Sequence, residues 1–142
     1  MTAIDRENIY DAYEDVRKDD SDTNWLVLTF DDANKIVLES TGADFGEFRD
    51  KFTDDARLFG YLKVISGDEL SKRSKFVFIT WIGPKVSVLK KAKMSADKGV
   101  VKEVIRNFAI EELFTDRSEV KEESIKAKVA KAGGANYGTG SR

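Results

Sequence analysis

The sequence predicts an α+β domain in which a central β-sheet is covered by helices on both faces. Three observations carry that expectation. The run Phe76-Val77-Phe78-Ile79-Thr80-Trp81-Ile82 puts apolar side chains on both faces of a strand, as burial between two layers requires. Two pairs of β-branched and aromatic runs are each separated by a polar turn, which reads as two hairpins. Apolar residues spaced three and four apart recur in segments before, between and after the strands, supplying helices for two layers.

Taken in order, Thr2-Ala3-Ile4-Asp5 fits a capping box and predicts a helix from there. Ile9, Ala12, Tyr13 and Val16 form its buried stripe, and it ends near Lys18, before Asp19-Asp20-Ser21-Asp22. Trp25 to Phe30, the turn Asp31-Asp32-Ala33-Asn34 and Ile36-Val37-Leu38 make the first hairpin. Phe45, Phe48 and Phe52 share one helical face. Arg57 to Ile65 and Lys75 to Ile82 make a longer hairpin around the polar loop Ser66 to Lys75. Gly83-Pro84 then sets a helix start, since proline is tolerated in a first turn. That helix carries Val86, Leu89, Ala92, Val100, Val101, Val104, Ile105 and Phe108, with a kink or break expected near Ser95. Ile110 to Phe114 reads as a short strand, Asp116 with Glu119 as a cap, and Val120, Ile125 and Val129 as the stripe of a final helix. The sequence places a single domain over 1–131 and a mobile tail over 132–142, where no core pattern persists.

The composition removes whole classes of chemistry. The 142 residues include no His and no Cys, so His- or Cys-based triads, Cys/His zinc sites and thiol redox steps are absent by inventory. A chain this long buries roughly 68–70% of its unfolded surface and needs no disulfide or metal to fold. No apolar run approaches the ~20 residues of a membrane span, and Met1-Thr2-Ala3-Ile4-Asp5 is too polar for a signal peptide, so a cytoplasmic protein is expected. Asp31-Asp32-Ala33-Asn34-Lys35 only superficially follows a calcium loop, with Ile36 at the glycine position and Gly42 where the bidentate glutamate belongs. Phosphate-binding glycine loops and nucleophile elbows are missing. No metal, cofactor or catalytic activity is expected.

Charge is the informative property. Residues 1–70 hold 8 basic and 18 acidic side chains, whereas 71–106 hold 10 basic and 2 acidic, a net +8 inside a chain of net −2. A clustered basic face attracts an acidic partner, although lysines on a long helix also make an ordinary solvated face. Lys72, Arg73 and Lys75 put three cations within four positions of the hairpin loop, and loops free of core residues often carry function. Lys98, Lys102 and Arg106, spaced by four, form a basic stripe turned away from the apolar one and therefore exposed. Nucleic acid is a poor fit: Phe76, Phe78 and Trp81 read as core rather than as a stacking platform.

Several strings together resemble the coactosins, within the actin-depolymerising factor homology (cofilin-like) superfamily. They are Thr53-Asp54-Asp55-Ala56-Arg57-Leu58-Phe59, Ser71-Lys72-Arg73-Ser74-Lys75-Phe76, Ile79-Thr80-Trp81-Ile82-Gly83, Val101-Lys102-Glu103-Val104 and Lys131-Ala132-Gly133-Gly134-Ala135-Asn136-Tyr137. The resemblance implies a mixed sheet of about five strands between two helix layers. It also implies a non-enzymatic, cytoskeleton-associated protein, expected to be monomeric, that binds the sides of filamentous actin without severing and opposes barbed-end capping. On the same basis Lys75 is the central filament contact, Lys72 and Arg73 assist, and Lys98 and Lys102 lie on a helix facing actin. Pro84 departs from the acidic or small residue expected after Gly83. The cofilin phosphorylation site near the start is not carried over to Thr2. The competing reading is an adaptor that uses the same patch for another protein or for anionic lipid.

Overall fold

A computed structural model of the chain describes residues 1–67, 70 and 72–139, with 133–139 described by backbone alone. Five strands form one sheet in the order β2-β1-β3-β4-β5. They are β1 (Trp25–Phe30), β2 (Ile36–Gly42), β3 (Arg57–Ser66), β4 (Arg73–Ile82) and β5 (Ile110–Phe114). All neighbours are antiparallel except β4 and β5, which run parallel, so the sheet is mixed as expected.

Strand alternation divides the core in two. Leu26, Leu28, Phe59, Tyr61 and Phe78 face helices α1 (Arg6–Arg17) and α3 (Val88–Lys102). Val27, Leu62, Val77, Ile79 and Trp81 face α2 (Phe45–Asp50) and α4 (Glu122–Thr139). A parallel β4–β5 pair needs a crossover, and α3 supplies it. The apolar positions read from the sequence sit where they were expected: Ile9, Ala12, Tyr13 and Val16 on α1, Phe48 and Phe52 around α2, and Ile125 and Val129 on α4 are all buried. Asp116 and Glu119 form the expected capping box, on a short 3-10 turn over Arg117–Glu119.

The N-terminus departs from expectation. Thr2 does not cap a helix, because Ile4 is held extended beside β2: the amide of Ile36 donates to Ala3 and that of Asp5 to Ile36, each at 2.9 Å. The helix starts at Arg6, and the Thr2 hydroxyl instead reaches Asp97 on α3.

The long helix also differs at both ends. Pro84 lies in a turn, and α3 begins only after Ser87, whose hydroxyl accepts from the Lys90 amide at 3.3 Å. A Cβ on Gly83 would lie 2.2 Å from the Asp54 carbonyl oxygen, so this turn presses directly onto the α2–β3 connection. Ser95 lies inside an uninterrupted helix, so the expected break is absent. At the far end α3 stops at Lys102, and Val104, Ile105 and Phe108 reach the core from a non-helical segment. That segment is pinned by tyrosines from below: the Tyr61 hydroxyl donates to the Asn107 carbonyl at 2.5 Å and the Tyr13 hydroxyl accepts from the Asn107 amide at 3.0 Å.

Helical backbone continues in α4 to Thr139, past the boundary placed at Lys131. Residues 140–142 of the expected tail, and Asp68, Glu69 and Ser71 of the expected hairpin loop, lie outside the described residues.

Candidate functional site

The β3–β4 hairpin extends beyond its neighbour strand, because β4 begins at Arg73 whereas β5 pairs with it only from Val77 onward. Lys75 therefore lies within β4 rather than opening it, paired in register with Val64. By alternation it shares the α2/α4 face with Val77, Ile79 and Trp81. Lys72 and Arg73 are exposed and Lys75 half-buried. Among the described residues none of these three side chains has a hydrogen bond or ion pair, so all three charges are available to a partner.

Beside the end of the hairpin, Arg17, Asp19, Ile65, Lys72, Arg73 and Phe76 line a shallow depression. The Arg17 guanidinium is 5.5 Å from the centroids of both Tyr13 and Phe76, an aromatic seat that fixes a further cation beside the hairpin. Ile65 is 54% exposed there, an apolar residue among cations.

Lys98 and Lys102 are placed differently from the sequence expectation. They do not project freely. Lys98 Nζ lies 3.1 Å from Glu111 Oε2 and Lys102 Nζ 2.5 Å from Glu111 Oε1. The Lys102 ammonium also stands 5.9 Å from the Phe78 ring and 5.7 Å from Phe108. Burial would raise the Glu111 pKa, but hydrogen bonds from Lys102 and Lys98 outweigh it and hold the carboxyl below its ordinary value. Arg106 falls beyond the helix end and donates to the Glu103 carbonyl, so the three cations do not form one helical stripe.

The two basic groups occupy opposite faces of the sheet. Glu111 is in register with Phe78 and so lies on the α1/α3 face, whereas Lys75 faces α2 and α4. Along β4 they are three residues apart, roughly 10 Å. A partner that touches both must contact both faces of the sheet.

Sequence reasoning missed Val88 and Leu89, reading Leu89 as core. At the first turn of α3 they are 81% and 76% exposed, followed at once by Lys90, Lys91 and Lys93. Adjacent exposed apolar residues at a helix start, beside cations, make a small apolar patch within reach of a partner. The signal was available in Val88-Leu89-Lys90-Lys91, whose two apolar residues are adjacent and cannot both follow the Met94, Asp97 and Val101 face. Among the described residues no helix is long and apolar enough to cross a membrane.

Comparison with known proteins places the chain in a family. Residues 1–130 match the family model described as cofilin/tropomyosin-type actin-binding protein. The chain is 48% identical to the rat coactosin-like protein over 136 residues, covering 96% of this chain and 95% of the relative. A crystal structure of the human coactosin-like protein superposes with a TM-score of 0.86 at 44% identity, covering 91% of this chain and 98% of the other. The solution structure of mouse coactosin, described as an actin filament binding protein, gives 0.79 at 46% identity, with 99% of both chains covered. With a fold, an element order and a near-complete sequence match in common, the chain belongs to the cofilin/tropomyosin-type actin-binding family and, within it, to the coactosins.

Proposed function

We propose that this protein binds the side of actin filaments as a single domain over 1–131, with 132–142 appended, through the unpaired cations Lys72, Arg73 and Lys75. The observation that carries this reading is the contrast between those three side chains, which have no partner among the described residues, and the lysines of α3 that are held by Glu111. Lys75 is the central contact and Lys72 and Arg73 assist it, while Lys98 and Lys102 contribute from the other side of the β5 edge. Val88 and Leu89 add apolar area. The protein works without catalysis or cofactor, does not sever, opposes barbed-end capping and acts as a cytoplasmic, cytoskeleton-associated monomer.

Exposed ion pairs contribute only ~0–1 kcal/mol each, so a contact of a few cations and a small apolar patch gives modest, salt-sensitive affinity. Co-sedimentation with filamentous actin across a salt series tests it: pelleting that declines with ionic strength is expected, and pelleting independent of salt contradicts an electrostatic contact. Flotation with anionic vesicles in the same buffers tests the lipid version of the adaptor reading, which requires lipid capture without filament binding.

A further inference from the structure

Resting on the filament-binding reading, we infer that Glu111 is an internal competitor for the partner's acidic groups and sets how strongly this protein binds. Lys98 and Lys102 reach it from successive turns of α3, so one carboxylate takes two ammonium groups. Their side chains keep 30% and 36% exposure and that of Glu111 keeps 29%, so the cluster is open at the surface and a partner can approach it. Two cations and one anion leave this patch with half the formal charge that the helix alone would present. An acidic group coming up to Lys98 or Lys102 must share or displace Glu111 while being repelled by it.

Among the described residues no carboxylate other than Glu111 pairs with Lys98 or Lys102, and Glu103, beside Lys102 in sequence, is held by Arg6 at 2.7 Å. Glu112, the next residue of β5, points to the opposite face and pairs with Lys128 on α4 at 2.7 Å. With Glu112 held by Lys128 and Glu103 by Arg6, neutralising Glu111 releases both α3 lysines from their observed partner. The hairpin cations need no such release, which makes Glu111 an affinity-setting residue rather than a requirement for binding.

The test compares wild type with Glu111→Gln, Lys98→Gln/Lys102→Gln and the triple variant, by co-sedimentation with filamentous actin at low and near-physiological salt. Glu111→Gln is expected to bind about two- to fivefold more tightly at low salt, the range of one exposed charge interaction, with a steeper decline as salt rises. The gain is expected to vanish in the triple variant, and the double lysine variant is expected to bind more weakly than wild type. Equal or weaker binding by a folded Glu111→Gln protein overturns the inference and makes Glu111 a clamp for α3. Unchanged binding by the double lysine variant overturns it too, whether or not Glu111→Gln folds. Failure of the wild type to pellet instead overturns the filament reading, and this inference with it.

Discussion

Thr2 Oγ1 donates a hydrogen bond to Asp97 Oδ1 across 2.5 Å, joining residues 95 positions apart. Asp97 is 98% buried in the middle of α3, and its other oxygen lies 3.9 Å from Arg57 Nη1 at the start of β3. Arg57 in turn stacks 3.6 Å above Phe30 and donates to Asn34 Oδ1 at 2.6 Å, on the β1–β2 turn where Asn34 has a φ of 64°. Four separate segments thus meet around one carboxylate, and it holds the helix that carries Val88, Leu89 and the α3 lysines against the sheet.

Removing parts of that junction should destabilise the fold in a graded way. Thr2→Val is expected to cost about 1.5–3 kcal/mol, the worth of a hydrogen bond to a charged acceptor. Asp97→Ala is expected to cost more, about 3–5 kcal/mol, because it leaves the largely buried Arg57 guanidinium without its counter-charge. Urea unfolding followed by circular dichroism measures both, with an order of effects that must run Asp97→Ala above Thr2→Val.

Acid should weaken the fold through Glu111 and Asp15. Hydrogen bonds from Thr23 and Ser21 hold Asp15 below its ordinary 3.8, and the α3 lysines hold Glu111 below its ordinary 4.5. A carboxylate whose pKa is depressed on folding contributes stability that is complete above its unfolded value and is lost as pH falls through the folded one. Stability is therefore expected to be flat in these groups above pH 4.5 and to decline below it. Glu111→Gln should make that decline shallower in a pH series of urea midpoints, and an identical acid limb would contradict the Lys98–Glu111–Lys102 geometry in solution.

Gly83 should not tolerate a side chain. The Cβ of Gly83→Ala would lie 2.2 Å from the Asp54 carbonyl oxygen and 2.6 Å from that of Thr53, both backbone atoms that cannot swing away. Overpacking of this kind costs roughly 1–3 kcal/mol, and the predicted readout is a lowered melting temperature together with weakened filament binding, since this turn aims the start of α3.

Val88→Ser/Leu89→Ser separates contact from packing. Both residues are largely exposed, so thermal stability should move by no more than about 0.5 kcal/mol. Filament affinity should fall by at least about 1 kcal/mol, roughly fivefold, if this apolar pair is buried in the complex. Equal affinity with equal stability would exclude the α3 start from the interface.

Much of this architecture is legible because local pattern and global fold agree. Phe76 to Ile82 and Trp25 to Phe30 read as strands since their apolar residues serve two cores at once, and Lys72, Arg73 and Lys75 stand out because the chain concentrates them within four positions. The end of α3 misleads for a physical reason: Val104, Ile105 and Phe108 keep helical spacing, yet Tyr13 and Tyr61 capture the Asn107 backbone and draw the segment out of the helix. Those hydrogen bonds come from α1 and β3, far away in sequence. The capture of Lys98 and Lys102 is hidden for the same reason, since Glu111 lies across an element boundary on β5 and only the parallel pairing with β4 brings it beneath α3. Thr2 misleads because a bridge to Ile36 outcompetes its local cap.

The most direct measurement is co-sedimentation with filamentous actin of wild type and Lys72→Ala/Arg73→Ala/Lys75→Ala, with circular dichroism to establish that the variant is folded. Pelleting of the wild type and its loss in a folded variant is the predicted result. Undiminished pelleting of the folded variant would contradict the assignment of filament binding to the β3–β4 hairpin.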